Sequence, residues 1–274
     1  MTFSWQKGHG TENDFVVLPD HDGTVHGELE PAFVAALCHR RRGIGADGVL
    51  RVIRSSAAGI DSDAEWFMDY RNADGSVSEM CGNGVRVFAR HLLNEGLAEG
   101  SGFAVATRDG DKIVSIEANG DIAVDMGTFS VGGLTEVATS EGLAAEAREV
   151  HTGNPHAVAF VDDVAEAGTL LTEPRFDAAL YPRGANIEFA ARQGPRHVRM
   201  RVHERGSGET RSCGTGACAV GIATALADGD TARPTTYRVD VPGGTVRVTM
   251  EENEHVTLTG PAEIVARGEM EWLA

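Results

Sequence analysis

Lysine is almost missing from this sequence: of 24 basic residues only Lys7 and Lys112 are lysine, and the rest are arginine. Chemistry that needs a Schiff-base amine is left with two poor candidates, one near the start of the chain and one in an expected hairpin turn. Long apolar runs are missing as well. No stretch approaches the roughly 18 apolar residues of a membrane span. The opening MTFSWQKGHGTEND has neither the basic nor the apolar segment of a secretory signal, so a cytoplasmic location without membrane association is expected. Positive charge is scarce, with 41 acidic residues against 24 basic and a formal charge of −17. Such a chain repels phosphate backbones and anionic lipid, which excludes nucleic acid as an expected partner. The run His39 to Arg42 is the notable exception and reads as a solvated helix end. Cysteine is limited to Cys38, Cys81, Cys213 and Cys218, with no CxxC or Cys/His spacing. These read as reduced thiols, with neither a disulfide framework nor a zinc or other metal site.

What is present suits a folded protein: 42% hydrophobic and 24% charged residues over 274 positions, enough for two domains. Strand-like segments run from Phe15 to Leu18, Val49 to Ile53, Glu65 to Tyr70, Phe103 to Thr107, Lys112 to Glu117 and Asp121 to Met126. The pattern resumes at Ala157 to Val161, Asn186 to Ala190, Val198 to His203, Tyr237 to Val241, Thr245 to Met250 and His255 to Thr259. Asn119-Gly120 and Gly243-Gly244 fit hairpin turns. A helix is expected over Pro31 to Arg41, with Pro at its start, Gly43 beyond its end and Cys38 on its core face.

An internal repeat organises the rest. Residues 80–96 read MCGNGVRVFARHLLNEG and residues 212–229 read SCGTGACAVGIATALADG. Each copy has a cysteine, then Gly-polar-Gly, then a helical pattern that ends at glycine, and the two lie about half the chain apart. The second helix is apolar nearly all round and should be enclosed by its sheet, whereas the first, with Arg86 and Arg90, is expected to be less enclosed.

Cysteine at a helix start has a chemical use. Unpaired N–H groups and the positive end of the dipole favour thiolate over thiol, and glycines at the next positions let a ligand approach the backbone. A proton that leaves one face of a carbon and returns to the other needs two groups, because one residue reaches only one face. Two thiols supply a base and an acid whose roles exchange with direction, and the helix N–H groups can stabilise the intermediate's charge. The two contexts are equivalent in sequence and leave the direction unassigned.

The motifs Gly10-Thr11-Glu12-Asn13-Asp14-Phe15, Arg71-Asn72-Ala73-Asp74-Gly75-Ser76, Glu79-Met80-Cys81-Gly82-Asn83-Gly84, Gly153-Asn154-Pro155-His156, Asn186-Ile187-Glu188-Phe189, Glu204-Arg205-Gly206 and Ser212-Cys213-Gly214-Thr215-Gly216-Ala217 resemble, in order and spacing, those of the diaminopimelate epimerases. The resemblance implies a homodimer of two-lobed chains that interconverts LL- and meso-diaminopimelate, on the way to lysine and peptidoglycan, without pyridoxal phosphate, metal or other cofactor. It implies Cys81 and Cys213 as the acid/base pair, and Gly82, Asn83, Gly214 and Thr215 as the cradle of the reacting carboxylate. Asn13, Asn72, Asn154, Asn186, Glu204 and Arg205 match substrate-binding positions, and His156 and Glu204 match positions that tune the thiols. One departure stands out: after Gly43-Ile44-Gly45-Ala46-Asp47 this chain has Gly48 where many members carry glutamine, so a water or a neighbour must supply that contact.

The expected fold is α/β (α+β): two pseudo-symmetric lobes, roughly 1–122 and 123–262, with 263–274 returning to the first. Each is a mostly antiparallel sheet around a central helix, and the active site is expected in the cleft between them. The nearest rival is a proline or hydroxyproline racemase of the same architecture, whose cyclic substrate has no distant carboxylate and ammonium for Arg205, Glu204 and the asparagines. A pyridoxal-dependent racemase lacks its lysine. A cysteine hydrolase would leave the second thiol unexplained, as would a protein that only binds an amino acid.

Overall fold

Parallel neighbours in a sheet need a crossover between them, and two of the crossovers in this chain are the Cys-Gly-x-Gly helices. The computed structural model describes residues 2–272; residues 1, 273 and 274, part of the expected first lobe and its returning segment, lie outside the described residues. Contacts divide the chain into two units, one of residues up to Val124 together with those from Pro261 on, the other Asp125–Gly260. The helices are α1 (Pro31–Cys38), α2 (Ser55–Ala58), α3 (Gly82–Asn94) and α4 (Gly214–Asp228), with a short 3-10 turn at Val164–Ala167.

In the first unit, strands follow one another in the sheet as Glu263–Glu271, Thr2–Gly10, Asn13–Pro19, Gly48–Arg54, Trp66–Asn72, Gly102–Thr107, Gly110–Ile116 and the first residues of Ile122–Thr128. The third and fourth strands run parallel, as do the fifth and sixth, and every other step is antiparallel. The second unit repeats this arrangement with Ser130–Ala138, Ala144–His151, Pro155–Phe160, Asn186–Gly194, His197–Glu204, Thr235–Val241, Gly244–Met250 and His255–Gly260. The parallel steps fall at the same two places. α3 and α4 occupy equivalent crossovers, between the fifth and sixth strands of their units.

Strand Gly48–Arg54 is buried along nearly its whole length, with Arg51 interrupting its apolar residues, and it contacts both α1 and α3. Val34, Leu37 and Cys38 of α1 join Phe3, Val16, Leu18 and Val49 in one core cluster. The helix stops at Cys38, three residues before the expected Arg41, because His39 turns to an extended backbone. The His39 ring then accepts the N–H groups of Arg41 and Arg42, and the chain folds back so closely that a Cβ on Gly43 would stand 2.2 Å from the Ala36 carbonyl oxygen. The basic run is solvent-exposed as expected, and Arg40 also bridges Asp14 at 2.8 Å and Asp47 at 2.6 Å.

α3 is enclosed, contrary to expectation. Val85, Arg86, Val87, Phe88 and Leu92 are all fully buried. Arg86 is tolerated there because its guanidinium donates to the Pro261 carbonyl at 3.1 Å, to Thr11 Oγ1 at 3.4 Å and to Asn83 Oδ1. Arg90 reaches the carbonyls of Ala262 and Gly120 and remains only partly exposed. α4 is enclosed as expected, and Gly221 permits its approach to the sheet: a Cβ there would meet Val248 at 2.8 Å. Its apolar side chains Val220 and Ile222 each contribute roughly 1.5–3 kcal/mol by burial.

Candidate functional site

Each repeat cysteine is the N-cap of its helix. The Cys81 sulfur accepts the N–H of Gly84 at 3.4 Å, and the Cys213 sulfur accepts that of Gly216 at the same distance. The cap leaves the first two helical residues, Gly82 and Asn83 in α3 and Gly214 and Thr215 in α4, as those whose N–H groups a helix does not use internally. An anion seated at either helix start would meet such donors.

In the first unit the structure gathers Asn13, Asn83 and Cys81. Asn13 Oδ1 lies 3.6 Å from the Cys81 sulfur and accepts from Asn83 Nδ2 at 3.2 Å, while Asn13 Nδ2 donates to Asp47 Oδ2 at 2.8 Å. The Thr11-Glu12 turn before Asn13 takes left-handed backbone at both residues, φ 49° and 65°, and sets Asn13 at the start of its strand. Asn72 ends the fifth strand opposite Gly48 and donates from Nδ2 to Ser76 Oγ at 3.0 Å. At Gly48 a Cβ would stand 2.6 Å from the Arg71 carbonyl oxygen and 2.8 Å from the Tyr70 ring, so a side chain at this position would need the neighbouring strand to shift.

The second unit uses the same strand positions. Asn154 precedes the third strand, Asn186 begins the fourth, Glu204 ends the fifth and Cys213 starts the helix. His156 Nδ1 lies 2.6 Å from Glu188 Oε1 and His156 Nε2 lies 2.8 Å from Asn154 Oδ1. Asn186 Oδ1 accepts the backbone N–H of Arg205 at 3.0 Å, and its Nδ2 donates to the Pro155 carbonyl at 3.3 Å. Thr215 Oγ1 is 3.5 Å from the Cys213 sulfur, and Thr210 donates to the Glu204 carboxyl. Arg205 is exposed, with its guanidinium held by the Arg183 carbonyl at 3.1 Å and its stem folded over Gly184.

The electrostatics depart from the sequence reading at one point. A helix start alone favours thiolate, but burial pushes the Cys213 thiol well up, and the Glu204 and Glu188 carboxylates add to that shift. The hydrogen bonds from Thr215 and Gly216 oppose it without reversing it. Burial likewise raises the Glu204 carboxyl, against hydrogen bonds from Thr210 and Cys213. Burial is thus the largest influence on both groups, and it raises both.

Two residues not singled out from sequence belong to this geometry. Glu188 carries the only charged side chain in a strand segment that otherwise reads Ile187, Phe189, Ala190, Ala191, and a lone acid in a doubly covered strand was the available signal. Asp47 orients Asn13 and was hidden inside a glycine-rich loop. Cys38 and Cys218 are buried thiols. Among the described residues no cluster of three or more His, Cys, Asp or Glu is arranged to hold a metal ion, and no helix is long and apolar enough to cross a membrane.

The fold is shared with solved structures. A phenazine biosynthesis protein of the PhzF family from Bacillus anthracis superposes with a TM-score of 0.73 at 18% identity, covering 99% of this chain and all of that one. A hydroxyproline epimerase from Agrobacterium vitis gives 0.67 at 16% identity, covering 98% of this chain and 92% of that one. Sequence similarity is far closer elsewhere. The diaminopimelate epimerase of Streptomyces coelicolor is 56% identical, covering 97% of this chain and 96% of the relative, and that of Thermobifida fusca is 47% identical, covering 96% of each. The family model described as diaminopimelate epimerase matches residues 5–131 and 149–265, a span that contains both capping cysteines and every strand-end residue described above. The chain belongs to the diaminopimelate epimerase family.

Proposed function

We propose that this chain interconverts LL- and meso-2,6-diaminopimelate by passing a proton between Cys81 and Cys213. The observation that carries the reading is the repeated N-cap: two cysteines, at equivalent helix starts of two equivalent units, each accepting a backbone N–H. One sulfur, as thiolate, takes the α-proton; the electron pair left on carbon is delocalised into the carboxylate; the other sulfur, as thiol, delivers its proton to the opposite face. No net proton or electron is consumed, and the thiols end with exchanged roles. The helix N–H groups at Gly82, Asn83, Gly214 and Thr215 stabilise the developing carboxylate charge.

Asn13, Asn72, Asn154, Asn186, Glu204 and Arg205 supply the mixture of acceptors and a planar cation that a diamino diacid requires, and a ring-shaped imino acid has nothing to place against Arg205. His156 and Glu204 act on the protonation of Cys213. The enzyme is taken to work as a cytoplasmic homodimer without added cofactor, on the strength of its family resemblance. Chiral chromatography of LL-diaminopimelate incubated with purified, reduced protein tests the substrate: meso isomer should accumulate, while L-proline under the same conditions stays unchanged. Turnover of proline alone would assign the chain to the rival racemases.

A further inference from the structure

The two units place different side chains beneath their thiols. Strand register makes Phe15 the counterpart of His156 and Leu50 the counterpart of Glu188, since Phe15 pairs with Gly48 as His156 pairs with Asn186. Both pairs are fully buried. Under α3, a Cβ on Gly84 would meet Leu50 at 3.3 Å and Phe15 at 3.6 Å. Under α4, a Cβ on Gly216 would meet Glu188 Oε1 at 2.7 Å and the Cys213 sulfur at 3.3 Å, so carboxylate and thiol flank the same glycine of the helix start. An apolar pair thus suffices to build this layer of the fold, whereas an acid and an imidazole with no solvent contact are costly to bury. Glu188 Oε2 has no hydrogen-bond partner, a further cost that packing alone does not explain.

We propose that Glu188 is a positioning residue for proton transfer: it fixes the His156 ring against Asn154 and sets a buried negative charge beside the Cys213 thiol, making the two chemically similar cysteines unequal. This deepens the proposed function and rests on it. The other ionisable groups around Glu188 are His156 on the third strand, Glu204 at the end of the fifth, Cys213 at the helix start, and Tyr181 and Glu149 beyond the imidazole. Of these, Glu204 acts on Cys213 in the same direction as Glu188, which agrees with the upward displacement of that thiol.

The test is peptide-resolved alkylation of the full-length, reduced protein by iodoacetamide as a function of pH, without substrate, in the wild type, Glu188→Gln, Glu188→Asp and the double variant His156→Phe/Glu188→Leu. Circular dichroism and a thermal melt of each variant report on folding. Glu188→Gln should lower the pH midpoint for Cys213 by about one unit, a tenfold faster reaction below the midpoint, and leave that of Cys81 in place. Glu188→Asp keeps the charge, so the midpoint should stay near wild type while kcat falls as His156 loses its support. The double variant copies the first unit's apolar pair and should fold yet lose epimerisation. An unchanged Cys213 midpoint in Glu188→Gln, or wild-type turnover in the folded double variant, would overturn the proposal while leaving the epimerase reading intact. A shifted midpoint in a protein whose wild type does not turn over diaminopimelate would do the reverse.

Discussion

Asp47 Oδ2 accepts the Nδ2–H of Asn13 at 2.8 Å, and this one hydrogen bond decides which end of the Asn13 amide meets Cys81. A carboxylate takes only the donor end, so the oxygen end is turned to the thiol and to Asn83. Asp47→Ala should therefore free the amide to rotate and lower kcat by about ten- to a hundredfold, with a smaller change in KM. Steady-state kinetics beside a thermal melt checks this. A loss explained wholly by unfolding would contradict the orienting role.

The glycines of the two helices predict a graded series. Gly216→Ala sets a methyl group 2.7 Å from Glu188 Oε1 and 3.2 Å from the Cys213 Cβ, where neither neighbour has room to yield, so activity should fall strongly. Gly84→Ala meets Leu50 at 3.3 Å and the Cys81 Cβ at 3.4 Å and should be the milder change. Gly221→Ala drives a methyl into Val248 far along the helix and should cost about 1–3 kcal/mol of stability. Denaturant titration and kcat/KM on the three variants separate site damage from core damage.

Acid should destabilise the first unit through His91 and Asp69. Burial holds His91 down to about 4 from the usual histidine value near 6.5. The unfolded chain then binds a proton that the folded chain refuses, so stability is full above pH 6.5 and is lost as pH falls toward 4, by up to about 3 kcal/mol. His91→Leu should flatten this limb of a urea-midpoint profile between pH 7 and 4. Asp69 acts lower. Burial alone would raise its carboxyl, but hydrogen bonds and charge from Arg71 and Arg108 outweigh this and hold it below the carboxylate range. Its contribution is present above the unfolded value near 4 and disappears as pH drops through the depressed folded value. Asp69→Asn leaves Arg71, Arg108 and Arg51 without their shared anion and should cost about 3–5 kcal/mol at neutral pH.

The repeat, the capping cysteines and the central strands were legible in the sequence because each has a local signature: Cys-Gly-x-Gly at a helix start, apolar runs between turn residues. Strands Thr2–Gly10, Ser130–Ala138 and Ala144–His151 were not, since the first ends in a Thr-Glu turn without the usual glycine and the second is mostly exposed, Gly-Gly-containing and irregular in register. The enclosure of α3 was missed because Arg86 looks like a surface residue until the Pro261 carbonyl is brought beside it from far along the chain. The inequality of the thiols was also invisible. Cys81 and Cys213 share a motif, and what separates them is a Leu50 or Glu188 contributed by a strand 31 or 25 residues earlier. Such partners are set by strand register, which no local motif encodes.

Proton NMR of LL-diaminopimelate in D₂O with purified, reduced protein and no added cofactor tests the two-thiol mechanism most directly. The wild type should exchange the α-proton for deuterium as the meso isomer appears, and alanine at either Cys81 or Cys213 should reduce this by about a hundredfold or more. Full epimerisation surviving the loss of either thiol in a folded protein would contradict the mechanism.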